Sequence, residues 1–167
     1  MTMWDMLADE FSGTFAIPVT VLAMRLAGTA LLCGLIGLER EIKKDSAGLR
    51  TNIMIGLASA TFALITIALV RSDLSTDAAI RADPLRLVEA VTAGVAFLAA
   101  GIIIFAKGEV RGLTTGASMW LSASIGLAIG LGFWIIAVMA AVAGVIVLTV
   151  LRRLEVYFGM KDGGSKD

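Results

Sequence analysis

An uncharged stretch of 40 residues fills positions 112–151 of the chain. As a single α-helix, rising ~1.5 Å per residue, it would reach ~60 Å, about twice the hydrocarbon thickness of a membrane. The stretch must therefore fold back once. The turn is predicted at Gly130-Leu131-Gly132, because two glycines loosen a helix and permit a turn. This leaves helices near residues 113–130 and 133–151.

Three further apolar runs, at roughly residues 19–38, 51–70 and 86–105, are each long enough to cross a membrane. Charged residues make up 17% of the chain, below the ~25% usual in soluble domains. The predicted fold is an all-α, polytopic membrane bundle of five transmembrane helices. Its expected parts are an interfacial arm at 1–18, a transmembrane domain at 19–155 and a cytoplasmic tail at 156–167.

The Lys and Arg residues are unevenly distributed among the connections. Ten of the 14 lie in the first connection, the third connection and the C-terminal tail, three lie in the second connection, and one, Arg25, lies within the first span. Positive charge favours the cytoplasmic side, so the N-terminus is predicted outside and the C-terminus inside. No long basic run indicates nucleic acid as a partner, and the lipid bilayer is the expected surrounding.

Two charged residues fall inside predicted spans, Arg25 and Glu89. Charge in hydrocarbon costs ~2.5 kcal/mol or more on insertion scales, so each needs a partner or access to water. Both lie near the predicted outer boundary, and matched depth favours an intramembrane ion pair between them. The alternative is that each side chain extends separately to the interface.

Small residues spaced four apart mark the faces through which membrane helices pack. Ser122, Gly126 and Gly130 form the clearest such face, and Ala96 and Ala100 form another. These faces either build one compact bundle or join two copies of the chain into a homodimer, and the sequence leaves both open. The predicted packing positions are Gly34, Gly37, Gly56, Gly94, Gly101, Ser122, Gly126 and Gly130.

Charges of both signs crowd the first cytoplasmic connection, and the third connection should reach the same side of the membrane. At a partly buried boundary such groups are expected to pair with one another and to fix how three helix ends meet. Two alternatives stay open: solvated anchoring charges, or a site for a phosphate, nucleotide, metal or partner. The predicted cluster is Glu39, Arg40, Arg50, Thr51, Asn52, Glu109, Arg111, Thr114 and Thr115.

The chain lacks histidine and has one cysteine, Cys33, within an apolar run. Histidine-based triads, zinc sites and histidine-ligated haem are therefore excluded, as is a disulfide within the chain. No buried pair of nucleophile and base is evident, so an enzyme is not expected. No cofactor is predicted, and Mg²⁺ is kept open as a ligand.

Three linked motifs resemble the membrane domain of the MgtC/SapB family over about residues 21 to 150. They are "GLIGLEREIKKDSAGLRTNIMIGLAS", "AVTAGVAFLAAGIII" and "GEVRGLTTGASMWLSASIGLAIGLGFW". The motif positions are Glu39, Arg40, Gly48, Leu49, Arg50 and Thr51 in the first, Gly94, Phe97, Leu98 and Gly101 in the second, and Gly112, Leu113, Thr114, Thr115 and Trp120 in the third. Ala96 and Ala99 stand where many members have glycine.

The resemblance implies a multi-pass protein of the bacterial inner membrane, linked to growth under magnesium limitation and survival inside host cells. Restraint of the F-type ATP synthase has been proposed for the virulence-linked members. A short form without the soluble C-terminal domain is expected. A regulatory or partner-binding role, with a membrane protein as partner, is favoured over a transporter or channel for Mg²⁺ or another small solute. The reason is that no Asp or Glu lies deep in the second, fourth or fifth predicted span.

Overall fold

A computed structural model describes residues 2–5, 17–42, 45–71, 84–106 and 109–151 as parts of a helical bundle. The main helices are α1 Val19–Ile42, α2 Leu49–Arg71, α3 Pro84–Ile102, α4 Leu113–Leu131 and α5 Trp134–Ile146, which a π-helical turn, Val147–Leu151, extends. The first four helices are long and apolar enough to cross a membrane, whereas the apolar helix Trp134–Val150 is shorter. The chain is thus mostly helical and fits a multi-pass membrane protein, with four helices of spanning length among the described residues.

Helix α4 lies at the centre of the bundle and contacts α1, α2, α3 and α5. It buries small residues on several faces, and small side chains let neighbouring backbones approach closely. The buried small residues are Gly116, Ser118, Ser122, Ala123, Gly126 and Gly130. Helix α3 packs mainly on α4, and α5 packs on α4 and α1.

Glycines bring α1, α2 and α4 into close contact, as the small-residue spacing predicts. A Cβ built at Gly126 would overlap the backbone of Gly56. A Cβ built at Gly130 would lie 2.6 Å from Ala63 Cβ, and one at Gly37 would lie 2.7 Å from Leu49 Cα. Because real Cβ atoms do not approach so closely, these positions require glycine at the present helix separations.

Gly94 and Gly101 do not belong to this set of contacts. No atom of the described residues lies within 4 Å of a Cβ built at either position. Helix α3 packs through Val91, Val95 and Ala99, so both glycines fall outside its buried stripe. Packing within the chain is therefore not found for these two glycines among the described residues, and the alternative, packing between two copies, stays a prediction.

The connection between α3 and α4 contains a β-hairpin that the all-α prediction missed. Strand β1, Ile104–Ala106, pairs antiparallel with β2, Glu109–Arg111. Helix α3 ends at Ile102, three residues before the predicted end of that span. Gly112 follows the hairpin with a φ of 88°, a left-handed conformation that glycine adopts without strain, and starts α4.

The turn between α4 and α5 lies where the two glycines predict it. Helix α4 ends at Leu131, and Gly132 adopts a φ of 94°. The backbone N–H of Gly132 donates to Ile129 O at 2.9 Å, and that of Phe133 donates to Ala128 O at 2.7 Å. This pair of hydrogen bonds is the Schellman arrangement that closes many helices at glycine.

The N-terminal arm is described only in part. Thr2 donates to Asp5 Oδ2 through its backbone N–H at 2.6 Å and through its hydroxyl at 2.8 Å. These hydrogen bonds favour the ionised carboxylate and lower the pKa of Asp5. Most of the arm, and the whole tail predicted at 156–167, lie outside the described residues.

Candidate functional site

Arg40 closes the end of the bundle where α1 ends and where α2 and α4 begin, which we call the Arg40 end. Its Nη1 lies 3.0 Å from Asp45 Oδ2, and its Nη2 donates to Thr115 Oγ1 at 3.4 Å. Arg40 is only 5% exposed. One arginine therefore ties the end of α1 to the following connection and to the first turn of α4.

The connection between α1 and α2 is held by side chains at both of its ends. The backbone N–H of Leu49 donates to Glu41 Oε2 at 2.9 Å, so Glu41 accepts from a free N–H at the start of α2. Asn52 donates through Nδ2 to the carbonyl oxygens of Ala47 at 3.1 Å and Gly48 at 2.9 Å. A six-residue connection is thereby fixed to the helices on either side.

A hydrogen-bonded path continues from Asn52 into the bundle interior. The hydroxyl of Ser122 donates to Asn52 Oδ1 at 2.8 Å, and the thiol of Cys33 donates to Ser122 O at 3.4 Å. All three residues are fully buried. The path joins α1, α2 and α4, and it satisfies both the carbonyl and the amino group of the buried Asn52.

The remaining predicted cluster residues lie around this buried centre. Arg50, Arg111 and Thr114 are exposed, while Glu39 and Thr51 are half-buried. The side chain of Glu109 lies outside the described part of the structure. The cluster is therefore a buried core of Arg40, Asn52 and Thr115 with exposed polar residues at its rim.

Three partners in this core were not among the predicted site residues: Glu41, Asp45 and, as a hydrogen-bond donor, Ser122. Asp45 and Glu41 were visible only as members of a mixed charge run, in which no spacing rule selects the partner of Arg40. Ser122 was predicted for packing alone. A buried serine 70 residues from the asparagine it contacts leaves no signal in one sequence.

The predicted ion pair between Arg25 and Glu89 is not formed. Arg25 Nη1 donates to Gly130 O at 2.7 Å, at the end of α4, and Glu89 lies on the exposed surface of α3. The main neighbours of α3 are α4 and α2, not α1, which carries Arg25. Matched depth was thus a poor guide, because it fixes height in the membrane but not which helices touch. The arginine instead places positive charge at a helix C-terminus, where the helix dipole favours it.

Within the described ranges, no group of three or more Cys, Asp, Glu or His side chains is arranged to hold an ion.

Comparison with known proteins gives a consistent assignment. A sequence model of the MgtC family matches residues 26–157. The protein named "Putative magnesium transporter YhiD" from Escherichia coli (strain K12) is 37% identical over 131 residues, covering 78% of this chain and 60% of that protein. "Protein MgtC" from Brucella abortus (strain 2308) is 39% identical over 137 residues, covering 82% and 54% respectively.

More distant similarity extends to "Uncharacterized protein slr0014" from Synechocystis sp., which is 31% identical over 134 residues, covering 80% of this chain and 53% of that protein. No solved structure matches the chain. The matched segment spans between half and three fifths of the length of these relatives. Since the family match covers most of the residues, including the Arg40 end and all of α4, this chain belongs to the MgtC family.

Proposed function

We propose that this chain is a regulatory or partner-binding protein of the bacterial inner membrane, linked to magnesium limitation or stress adaptation, and that it is not an enzyme. The topology proposed with it has five spans, the N-terminus outside and the C-terminus in the cytoplasm. Family membership supports the link to magnesium, since one relative carries the name of a magnesium transporter. The choice of a regulatory role depends on the interior of the bundle.

The observation that carries the proposal is that the buried polar groups at the Arg40 end bond to one another. Arg40 pairs with Asp45, and Asn52 is fully engaged by Ser122 and two carbonyl groups. Beyond them, Gly126 lies directly against the backbone of Gly56. A conducting path for a divalent cation needs oxygen ligands that face an open passage, whereas these groups face each other across close helix contacts.

This arrangement suits a protein that responds to contact at its surface. The described part of the connection between α1 and α2, residues 45–48, is tied to α1 by Arg40, to α2 by Asn52, and through Arg40 to α4. A partner that displaces the connection would therefore act on three helices at once. Ser46 and Arg50 are exposed beside it and provide polar surface for such a contact.

The second candidate is a transporter or channel for Mg²⁺ or another small solute. It is favoured by the name of the relative from E. coli and by the polar path from Asn52 through Ser122 to Cys33. Transport through this path would require the Ser122–Asn52 hydrogen bond to open, because both side chains are fully buried.

Two measurements made in parallel test the proposal. Purified chain is reconstituted into liposomes loaded with a fluorescent Mg²⁺ indicator, and the same chain is expressed in bacteria that lack their own family member and grow under magnesium limitation. We expect restored growth without Mg²⁺ flux above that of empty liposomes. The D45N variant should insert normally but restore growth poorly, while S124A, altered on an exposed face, should behave as the parent.

Flux that rises with the amount of reconstituted protein and falls in an N52A variant would overturn the regulatory proposal in favour of transport. Equal growth with parent, D45N and S124A chains would remove the Arg40 end from the mechanism.

A further inference from the structure

We propose that two copies of this chain associate through the outward face of α3, made of Arg86, Glu89, Ala93, Ala96 and Ala100. The proposal concerns a surface that the Arg40 end does not include, so it stands apart from the proposed function. All five residues are exposed. They lie on the side of α3 opposite Val91, Val95 and Ala99, which pack within the bundle.

The two charges on this face are the first reason for a partner. Neither Arg86 nor Glu89 has an ion pair or a side-chain hydrogen bond within the part of the chain that the structure describes. Glu89 lies on the second turn of α3, and apart from Arg86 the exposed surface of this helix is apolar and faces lipid in an isolated copy. Charge in that position is costly, and an oppositely charged partner at the same depth offsets the cost.

The spacing of these charges selects a second copy as that partner. A two-fold symmetric contact places one surface against the same surface, so it requires a face that is complementary to itself. Arg86 and Glu89 are three residues apart, or ~4.5 Å along the helix axis, which is within reach of their side chains. When two α3 helices run side by side, Arg86 of each copy meets Glu89 of the partner subunit, forming two equivalent ion pairs.

The rest of the face allows the backbones to approach. Ala93, Ala96 and Ala100 follow the charges along the same side of the helix, and small side chains at such spacing permit close helix packing in membranes. Phe97, which is 81% exposed, lies at the edge of this face and gains an apolar partner in the dimer. The alanines alone would fit any helix, whereas the charges restrict the occupant.

Cysteine cross-linking in native membranes tests the contact. Ala93→Cys, with Ala100→Cys as a second position, is oxidised and the yield of covalent dimer is measured. Disulfide formation requires Cα atoms ~4.4–6.8 Å apart, so it reports direct apposition of the two helices. Ala143→Cys on the exposed face of α5 is the matched control, and the unaltered chain, whose Cys33 is fully buried, is the blank.

The charges are tested in the A93C background. R86E gives a copy with two acidic groups on this face, and E89R gives a copy with two basic groups. Each variant alone should lower the dimer yield about tenfold, as expected for the loss of ~1.4 kcal/mol. Co-expression of the two variants with different tags should restore a mixed dimer, because each acidic group then meets a basic one.

Covalent dimer from A93C and A100C but not from A143C, together with rescue in the mixed pair, is the expected result. Absence of covalent dimer from both α3 positions would overturn the proposal, because the face would then be covered by lipid and not by a second copy. So would equal yields from α3 and α5, which indicate random collision. A mixed pair no better than R86E or E89R alone would also overturn it, because the charges would then not act between copies.

Discussion

Helices α3 and α4 lie side by side, and each is 19 residues long. In the most apolar 18-residue segment of each helix, 61% of the residues are buried in α4 but only 11% in α3. Both contain glycines and hydroxyl residues, so composition does not separate them. What differs is where the hydroxyls point: Ser122 of α4 donates across to Asn52 of α2, whereas Thr92 of α3 donates back to Val88 O of its own helix.

This difference shows what makes a small-residue face a packing face in this bundle. On α4, Ser122, Gly126 and Gly130 share one side, so a hydrogen bond between helices and two close backbone contacts coincide. On α3, no atom of the described residues lies within 4 Å of a Cβ built at Gly94 or Gly101. Without a hydrophobic driving force between helices in lipid, close contact and satisfied polar groups decide which helices associate.

The largest difference between the two helices is expected when one methyl group is added to a glycine of each. G126A places a Cβ against the backbone of Gly56, and since backbone cannot rotate aside as a side chain does, α2 and α4 must separate. We expect the free energy of unfolding to fall by about 3 kcal/mol. SDS-driven unfolding in mixed micelles, followed by tryptophan fluorescence, measures the change.

G94A is the matched control on α3, because no described residue has an atom within 4 Å of the added Cβ. Alanine is the better helix former, so stability should be unchanged or rise by up to about 1 kcal/mol. Equal destabilisation by G126A and G94A would mean that the α2–α4 contact does not depend on glycine.

The ion pair at the Arg40 end, which joins α1 to the following connection, gives the next largest effect. D45N leaves the Arg40 guanidinium, whose side chain is 6% exposed, without its carboxylate. R40M removes the buried charge and leaves Asp45, whose side chain is 33% exposed, to be solvated by water. Because a buried charge that has lost its carboxylate partner is the costlier remnant, we expect losses of about 2 kcal/mol for D45N and about 1 kcal/mol for R40M.

The same unfolding measurement decides between these two variants. A larger loss for R40M than for D45N would indicate that the guanidinium contributes mainly through packing and through Thr115, and not through its pair with Asp45.

Much of this fold could be predicted from hydrophobic length and glycine position. The 40-residue uncharged run required a turn, and the turn lies between α4 and α5 where Gly132 permits a left-handed φ. The expected meeting of helix ends at this boundary agrees with the Arg40–Thr115 hydrogen bond between α1 and α4, whereas pairing of charges between the two connections stays a prediction. These predictions succeed because they depend on the solvent and on local backbone geometry, which one sequence contains.

The contacts that depend on helix neighbours could not be predicted in the same way. Arg25 was paired with Glu89 by depth, yet it bonds to Gly130, because the spacing of residues along a helix does not tell which helices are adjacent. Gly94 and Gly126 were equivalent as small residues until the burial of α3 and α4 separated them. The hairpin at Ile104–Ala106 was missed because three-residue strands are too short to leave a periodic signal.

Deleting a hydroxyl on α4 tests how much the hydrogen bond between helices, which α3 lacks among the described residues, contributes to stability. S122A removes the donor to Asn52 Oδ1 and leaves that buried oxygen without this hydrogen bond. We expect the free energy of unfolding to fall by about 1 kcal/mol. The matched control is S124A on the same helix, since the exposed Ser124 hydroxyl only donates to Leu121 O and its loss should be nearly neutral. Equal losses of stability in S122A and S124A would show that the Ser122–Asn52 hydrogen bond between helices is not the source of the loss.

The smallest expected effect comes from removing a buried hydroxyl that has no hydrogen-bond partner among the described residues. Thr29 Oγ1 is buried in α1 beside Gly56 and has no hydrogen-bond partner among the described residues. T29V keeps the shape and removes the unpaired group, so the free energy of unfolding should rise by about 0.5 kcal/mol. T61V is the control, because the exposed Thr61 hydroxyl already donates to Leu57 O and its removal should give no gain. A loss of stability in T29V would show that this hydroxyl has a partner, such as a bound water, and that polar satisfaction in the packed helices extends beyond the path from Asn52 to Cys33.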